Sequence, residues 1–167
     1  MTKEVKRNYL EIISLQDLKE GDMLSNDYSL SLIDPTNFQL NKFFYKKIGK
    51  NHKWVDRLIW SEQKWINYVS SANVKGYVFK YKNDLVGFFE LIFHPENKEM
   101  EIAYFGILQE YQNKKLGSYL LSEAIKISFK SKINRVWVHT CSLDHKNALK
   151  NYLARGMKIF KTEVLNV

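Results

Sequence analysis

Apolar and polar residues alternate along the middle third of the chain, in three consecutive runs. Residues 77–81 are rich in β-branched and aromatic types and end at Lys82-Asn83-Asp84, a turn sequence. The strand pattern resumes over 85–94, breaks at the turn 95–98 and continues over 99–108. The alternation therefore predicts three successive antiparallel strands.

The turn at 95–98 decides which side chains of the last two strands share a face. If these residues form a four-residue hairpin loop, His94 lies opposite Glu99 and Ile92 lies opposite Glu101. Alternation with a period of two then places six side chains on one face: Glu90, Ile92, His94, Glu99, Glu101 and Ala103. This register would bring several carboxylates and a histidine together.

The last third of the chain changes to helical spacing. Apolar residues three and four positions apart predict an amphipathic helix over about 115–130. Residues 135–140 predict a strand. Asp144 can cap a further helix that stops at Gly156, after which a final strand begins.

The first third is less regular. Residues 28–33 alternate as a strand, residues 38–48 have helical spacings, and a second helix opens at Ser61. No repeat or flexible linker divides the chain. The element order predicts an α+β (mixed α/β) fold, with one central, mostly antiparallel sheet flanked by helices.

The composition is that of one globular domain, with 45% hydrophobic residues in a chain of 167. Cys141 is the single cysteine, which excludes an intramolecular disulfide framework and fits a reducing compartment. Metal-ligand spacing is absent among the histidines and this thiol, so we expect no metal. Apolar runs are far shorter than the ~20 residues of a spanning helix, so we expect a cytoplasmic protein with no membrane partner.

The formal net charge of +8 raises the question of a nucleic-acid partner. Of the 26 basic residues only four are arginines: Arg7, Arg57, Arg135 and Arg155. Specific recognition of phosphates and bases relies on the arginine fork, whereas the lysines here are scattered singly or in pairs. We therefore interpret the charge as a solvated surface and expect no nucleic-acid partner.

The segment from Glu101 to Leu121 runs from a predicted strand through a short loop into a helix. The first turn of a helix exposes unpaired backbone N–H groups, and the helix dipole adds positive potential, so such a junction can bind phosphate. Gly117 has no Cβ to block a close approach, and Lys114 and Lys115 add charge. The alternative is an ordinary strand-loop-helix connection with two solvated lysines.

This segment resembles the acetyl-coenzyme A binding motif of the GNAT superfamily of N-acetyltransferases, Gln/Arg-x-x-Gly-x-Gly/Ala. Gln112 matches its first position and Gly117 its last, while Lys115 stands where the middle glycine is usual. A second segment is similar to the superfamily's late helix, Asn-x-x-Ala-x-x-x-Tyr-x-x-x-Gly-Phe. Three of its residues fall in register: Ala148, Tyr152 and Gly156.

Two residues depart from the late-helix motif. His145 occupies the usual asparagine position and Met157 the usual phenylalanine, and Asn147 is a candidate to take over the asparagine's contact. The string from Trp137 to His145 looks closest to small bacterial members of the superfamily. In all, the resemblance covers about residues 76–161.

The resemblance implies acetyl-CoA as co-substrate. Backbone groups of one strand would hold the pantetheine arm where it splays from its neighbour, and the helix N-terminus would hold the pyrophosphate. The implied contacts are Ile107, Leu108, Gln112, Asn113, Lys114, Lys115, Leu116, Gly117, Ser118, Asn147 and Tyr152. Tyr152 aligns with the tyrosine that returns a proton to the leaving thiolate.

Three residues are candidates for the general base that deprotonates the amine. Glu101 aligns with the strand glutamate that serves as base in histone-type members, Glu90 projects to the same face if the hairpin register holds, and His139 is the third. On the acceptor side we expect contacts from Trp54 and Asp56, because aromatic walls with one carboxylate suit an amine cation.

We therefore expect one N-acetyltransferase domain over 1–167, with an acceptor-side region at about 28–75 and a CoA-binding core at about 76–161. The expected reaction moves an acetyl group from acetyl-CoA directly to the primary amine of a small molecule. The alternatives are a lysine or N-terminus of a protein as acceptor, or a non-catalytic acyl-CoA-binding regulatory module. Only about ten residues follow Gly156, so the last sheet position is expected to be empty or filled by the partner of a homodimer.

Overall fold

Seven strands form one sheet, with helices on both faces, in the computed structural model, which describes residues 3–166. The strands are β1 (Glu4–Ile12), β2 (Tyr28–Leu32), β3 (Val74–Tyr81), β4 (Asp84–His94), β5 (Glu99–Ile107), β6 (Arg135–Cys141) and β7 (Lys158–Asn166). The α-helices are α1 (Phe38–Gly49), α2 (Glu62–Val69), α3 (Leu116–Phe129) and α4 (Ala148–Ala154). The predicted fold class is confirmed.

The strands lie in the order β2-β3-β4-β5-β6-β1-β7, and β5 and β6 are the parallel neighbours. The β4–β5 hairpin has the predicted register, with His94 opposite Glu99 and Ile92 opposite Glu101. A bulge then shifts the pairing, so Glu90 lies opposite Tyr104. Ala103, which the simple register placed opposite Glu90, has no directly opposite residue on β4 because of this shift.

The sequence pattern missed strand β1. This strand lies between β6 and β7 and is antiparallel to both. The sheet position that we expected to be empty or filled by a dimer partner is therefore filled by the chain's own N-terminal segment. Because Arg7 pairs with Cys141, at the other end of the sequence, no local turn signals the strand.

The prediction that Asp144 caps α4 is wrong. Helix α4 begins at Ala148, and its first flanking residue is Asn147, which makes no side-chain capping bond. Asp144 Oδ2 instead accepts hydrogen bonds from Thr140 Oγ1 at 2.6 Å and from the Cys141 backbone N–H at 3.0 Å. These bonds hold the turn after β6, and the carboxylate therefore caps this turn and not the helix.

Apolar side chains pack on both faces of the sheet. Helix α3 covers one face with residues at the predicted i, i+4 spacing: Leu116, Leu120, Leu121, Ala124 and Ile125. They meet buried strand residues that include Leu10, Val136 and Val138. On the other face α1 packs Phe44 against Phe88, with the two rings stacked at 5.0 Å.

The parallel pairing between β5 and β6 is short. Three residue pairs join the strands, and the last of them is Glu101 with Trp137. Beyond it β5 continues to Ile107 and β6 to Cys141 without pairing with each other. The sheet therefore contains a V-shaped gap whose edges carry unpaired backbone groups.

Candidate active site

A cavity of about 1370 Å³ lies at the gap between β5 and β6. Its walls come from β5, the start of α3, the end of β6, α4 and the loop that follows α1, and β1 adds Val5 and Arg7 at one end. The volume exceeds the ~300–1,000 Å³ of most small-molecule sites. The cavity therefore has room for two substrates.

Most of the residues that the sequence nominates line this cavity. They are Glu101, His139, Tyr152, Ile107, Gln112, Asn113, Lys115, Leu116, Gly117, Ser118, Asn147, Trp54 and Asp56. Three nominated residues lie outside it: Glu90, Leu108 and Lys114. The first two are buried in the interior, and the third turns outward.

Leu108 and Lys114 each have other contacts. The backbone N–H of Leu108 donates to the carbonyl of Val86 at 2.8 Å, so it is not available to a pantetheine amide. The ammonium of Lys114 lies over the ring of Tyr111, 5.4 Å from its centre. Of the two lysines in the loop, the structure brings Lys115 alone to the cavity wall.

The loop before α3 has a left-handed backbone at two positions. The φ angle is +64° at Asn113 and +61° at Lys115. Lys115 thus has a conformation that glycine adopts without strain, at the position where the motif has its usual middle glycine. The loop is held by Gln112, whose Nε2 donates to the Ile107 carbonyl at 3.2 Å, and by Ser118, whose Oγ donates to the Lys115 carbonyl at 2.8 Å.

The first turn of α3 is open toward the cavity. Its flanking residue Lys115 makes no side-chain capping bond, which leaves backbone N–H groups of the turn available. A Cβ added at Gly117 would meet Asn151 Nδ2 at 3.5 Å, an ordinary contact. Protein packing therefore does not require glycine here, and its missing side chain keeps space on the cavity side. These features fit a bound pyrophosphate.

Glu101 lies at the point where β5 and β6 diverge. Its Oε1 accepts a hydrogen bond from His94 Nε2 at 3.0 Å, and its side chain is 15% exposed. The His94 ring stacks on Trp137, with ring centres 5.9 Å apart. The carboxylate is therefore oriented by a packed partner and still reaches the cavity.

Glu90 has a different environment. Its side chain is 2% exposed, and its carboxylate accepts hydrogen bonds from Arg57 Nη1 at 3.0 and 3.2 Å. Burial raises the pKa of this carboxyl, and the charge of Arg57 opposes that shift. The pair ties the loop after α1 to strand β4, and Glu90 does not reach the cavity.

Tyr152 and His139 lie on different walls of the gap. Burial raises the pKa of the Tyr152 phenol, with a smaller contribution from Asp144, so this group stays protonated at neutral pH. Its ring meets Phe105 of β5 edge to face, with centres 6.3 Å apart. Desolvation, together with the positive charge of Arg7, lowers the pKa of His139, which is neutral under the same conditions.

Aromatic rings form the wall beneath the loop that follows α1. Trp54 packs edge to face on Tyr104, with ring centres 4.8 Å apart. Trp54 can pack here because residue 49 is a glycine. A Cβ added to Gly49 would lie 2.5 Å from Cβ of Trp54. Asp56 is exposed and lines the same part of the cavity. This end of the cavity therefore combines an aromatic wall with a carboxylate.

Several cavity residues were not predicted from the sequence. Tyr104 was missed because the bulge turns it toward Glu90, and a bulge has no reliable signature in a single sequence. His52 and His145 come from loops on two sides of the cavity, and their ring centres are 6.1 Å apart. Arg7 was missed together with its strand. The β-rich run Tyr9-Leu10-Glu11-Ile12 was the available signal.

The chain belongs to the acetyltransferase (GNAT) family, whose model matches residues 36–157. This match confirms the resemblance drawn from the two motifs. A comparison with curated protein sequences found no significant match.

Solved structures share the fold at low sequence identity. A GCN5-related N-acetyltransferase from Sphaerobacter thermophilus has a TM-score of 0.73 at 13% identity, covering 99% of this chain and 52% of its own. An aminoglycoside acetyltransferase from an uncultured soil metagenomic sample, in complex with trehalose, has a TM-score of 0.66 at 12% identity, with coverages of 80% and 90%. PaiA N-acetyltransferase from Thermoplasma acidophilum, in complex with coenzyme A, has a TM-score of 0.50 at 21% identity, with coverages of 66% and 76%.

These likenesses show the fold alone. The chain spans 61% of the length of a functionally unknown conserved protein from Staphylococcus epidermidis, and about half of the Sphaerobacter thermophilus protein. Over residues 3–166 no helix has the length and apolar character needed to cross a membrane. Within the same residues no group of three or more His, Cys, Asp or Glu side chains is placed to hold a metal ion.

Proposed function

We propose that this protein transfers an acetyl group from acetyl-CoA to the primary amine of a small molecule by direct attack. The observation that carries the proposal is the divergence of β5 and β6 at Glu101, next to the open first turn of α3. This combination offers a slot for an extended thioester and an anion site at its end. Glu101 and Tyr152 line the same cavity and supply a proton acceptor and a proton donor.

The donor would lie along the free edge of β5 and end at α3. The backbone of Gly106 and Ile107 borders the gap, whereas that of Leu108 is engaged with β4. The loop from Gln112 to Ser118 would hold the pyrophosphate through backbone N–H groups, with Lys115 adding charge. Lys150 and Arg155 line the cavity near α4 and add further positive charge.

The acceptor would enter from the side of Trp54. The aromatic wall of Trp54 and Tyr104 and the carboxylate of Asp56 suit a cationic amine. The approach of the His52 and His145 rings narrows the cavity between two loops, which favours a small molecule over a polypeptide. A structural neighbour is an aminoglycoside acetyltransferase, so an enzyme of this fold also takes a small molecule and not a polypeptide as acceptor.

The proposed chemistry assigns one proton transfer to each of two residues. Glu101, held by His94, takes a proton from the alkylammonium, directly or through water. The amine nitrogen then bonds to the thioester carbonyl carbon, and the carbon–sulfur bond breaks with its electron pair on sulfur. Tyr152, protonated at neutral pH, gives its proton to that thiolate, and the second proton that the nitrogen loses as the amide forms restores the phenol through solvent.

A panel of acceptors tests this function. Purified protein is mixed with acetyl-CoA and small primary amines or lysine peptides, and free CoA and acetylated product are followed together. The proposal expects amine-dependent release of CoA with the acetylated small amine as product. Acetylation confined to peptides would favour a protein acetyltransferase. Binding of CoA in calorimetry without any turnover would favour a non-catalytic acyl-CoA-binding module.

A further inference from the structure

Strand β1 brings Arg7 to one end of the cavity. Directly opposite residues of neighbouring strands point to the same face, so Arg7 shares a face with Cys141 of β6 and Glu163 of β7. Lys3 lines the same end. The acetyl transfer proposed above gives these two cations no role.

The guanidinium of Arg7 has no ion-pair partner among residues 3–166. Its Nε is shielded from solvent and has no hydrogen-bond partner in the described chain. Two carboxylates in this region have other partners: Glu163 pairs with Lys161 at 3.2 Å, and Asp144 accepts the bonds that hold the turn after β6. A half-buried arginine with unused donors is suited to a carboxylate or a phosphate.

A strip of cavity wall connects Arg7 with Glu101. Glu101 adjoins Trp137, and His139 and Cys141 follow on the same side of β6, beside Arg7. Four residues along β6 and two strand spacings put the Cα atoms of Glu101 and Arg7 ~16 Å apart. The side chains of Glu101 and Arg7 both extend from the sheet into the cavity. The distance between their charged groups is therefore one that a single extended small molecule can span.

Part of this side of the sheet faces solvent. The helices on this side pack elsewhere, α2 on β3 and α1 on β5. Lys161 is exposed there, and so is part of the His139 side chain, whose remaining surface the neighbouring residues desolvate. A ligand can therefore reach Arg7 from the acceptor side of the cavity.

Arg7 and the proposed pyrophosphate site lie on opposite faces of the sheet. Helix α3, which carries the proposed pyrophosphate site, packs on the face of the sheet that buries Leu10 and Val138. Arg7 is an odd-numbered residue of β1 and points to the other face, as Tyr9 does. The anion that Arg7 would bind must therefore come from the acceptor.

We propose that Arg7 binds an anionic oxygen group of the acceptor, a carboxylate or a phosphate, while the acceptor's amine lies at Glu101. This inference rests on the function proposed above and narrows its substrate class to amines that also carry a negative charge. Polyamines would place a positive group beside Arg7 and Lys3 and would be poor substrates.

Matched acceptors test the inference with the full chain. Each set shares one skeleton and differs at the end remote from the amine, as a carboxylate, a phosphate, an amide or a second amine. The wild type is expected to acetylate the carboxylate or the phosphate with a kcat/KM roughly 10- to 100-fold above that of the amide, because a charged hydrogen-bonded pair contributes in this range. Comparison of the first two acceptors identifies which anion the site takes.

Variants of Arg7 separate recognition from folding. Arg7→Gln is expected to bring the anion-to-amide ratio of kcat/KM close to one, and Arg7→Lys to keep part of the preference. Lys6→Gln removes an exposed charge whose side chain lies on the opposite face of β1 from Arg7, and it should keep the wild-type ratio. The KM for acetyl-CoA should not change in Arg7→Gln.

Three results would overturn the inference while leaving the acetyltransferase intact. They are equal kcat/KM for anionic and amide acceptors in the wild type, an unchanged ratio in Arg7→Gln, and a rise in the KM for acetyl-CoA instead of the acceptor. Absence of acetylation for every amine would refute the proposed function itself.

Discussion

Arg57 Nη1 lies 3.0 and 3.2 Å from the two carboxylate oxygens of Glu90, and both side chains are buried. The same guanidinium donates from Nη2 to Tyr68 Oη at 2.8 Å and lies 4.4 Å from the ring centre of Tyr104. Because Arg57 follows Trp54 and Asp56 in one loop, this pair fixes the aromatic wall of the cavity on the sheet.

Arg57→Gln is expected to lower the free energy of unfolding by about 3–5 kcal/mol, because it leaves the charge of Glu90 buried without a partner. The double variant Arg57→Gln/Glu90→Gln should recover part of this loss. Urea denaturation followed by circular dichroism measures both. Lys161→Gln, which breaks the exposed pair with Glu163, is the control and should cost less than about 1 kcal/mol. A double variant no more stable than Arg57→Gln would contradict the ion-pair account.

The positive φ of Lys115 predicts a ranking of two variants. Lys115→Gly and Lys115→Ala both remove the charge, but only glycine relieves the left-handed backbone. The glycine variant should be the more stable by about 1 kcal/mol, since this conformation costs L-residues about 1–2 kcal/mol. Thermal or urea unfolding measures the difference. An alanine variant as stable as the glycine variant would show that the loop carries no strain.

Tyr152→Phe is expected to lower kcat by roughly 10²–10⁴-fold with an unchanged Kd for acetyl-CoA, because it removes a proton donor and keeps the ring. Tyr119→Phe is the matched control, since Tyr119 packs on Phe79 at 5.7 Å outside the cavity. Steady-state rates and calorimetry provide the two readouts. Equal effects of the two substitutions on kcat would exclude Tyr152 as the acid.

The lowered pKa of His139 predicts a stability that rises with pH on the acid side of neutrality. The unfolded chain binds a proton at this histidine near pH ~6.5, whereas the native state binds it only at lower pH. The unfolded state is therefore favoured as the pH falls through this window. In His139→Asn the loss of stability between about pH 7 and about pH 5 should be smaller. An unchanged slope of unfolding free energy against pH would refute this.

Local patterns predicted most of the fold, because the spacing of apolar residues in a helix or a strand is visible within that segment alone. The β4–β5 hairpin register followed from one turn, and α3 followed from its i, i+4 apolar spacing. Strand β1 could not be found in this way, because its register depends on β6 and β7 at the far end of the chain. Arg7 was not predicted as a cavity residue for the same reason.

The candidate site shows the same division between local and tertiary information. The loop from Gln112 to Gly117 is contiguous, and the sequence alone placed it at a helix start. Glu90 is buried in an ion pair with Arg57, which lies 33 residues away in the sequence. No local pattern could therefore distinguish this paired carboxylate from one that is free to act as a base. The sequence therefore nominated both glutamates, and only Glu101 lines the cavity.

The most direct test of acetyl transfer at this site is the pH dependence of Glu101→Gln. At neutral pH the variant should be slower than the wild type by roughly 10²–10⁴-fold, with an unchanged Kd for acetyl-CoA. As the pH approaches the amine's own pKa of about 10.4, the acceptor loses its proton without help and the two rates should converge. A variant as active as the wild type at neutral pH, or a deficit that stays constant at every pH, would contradict the account.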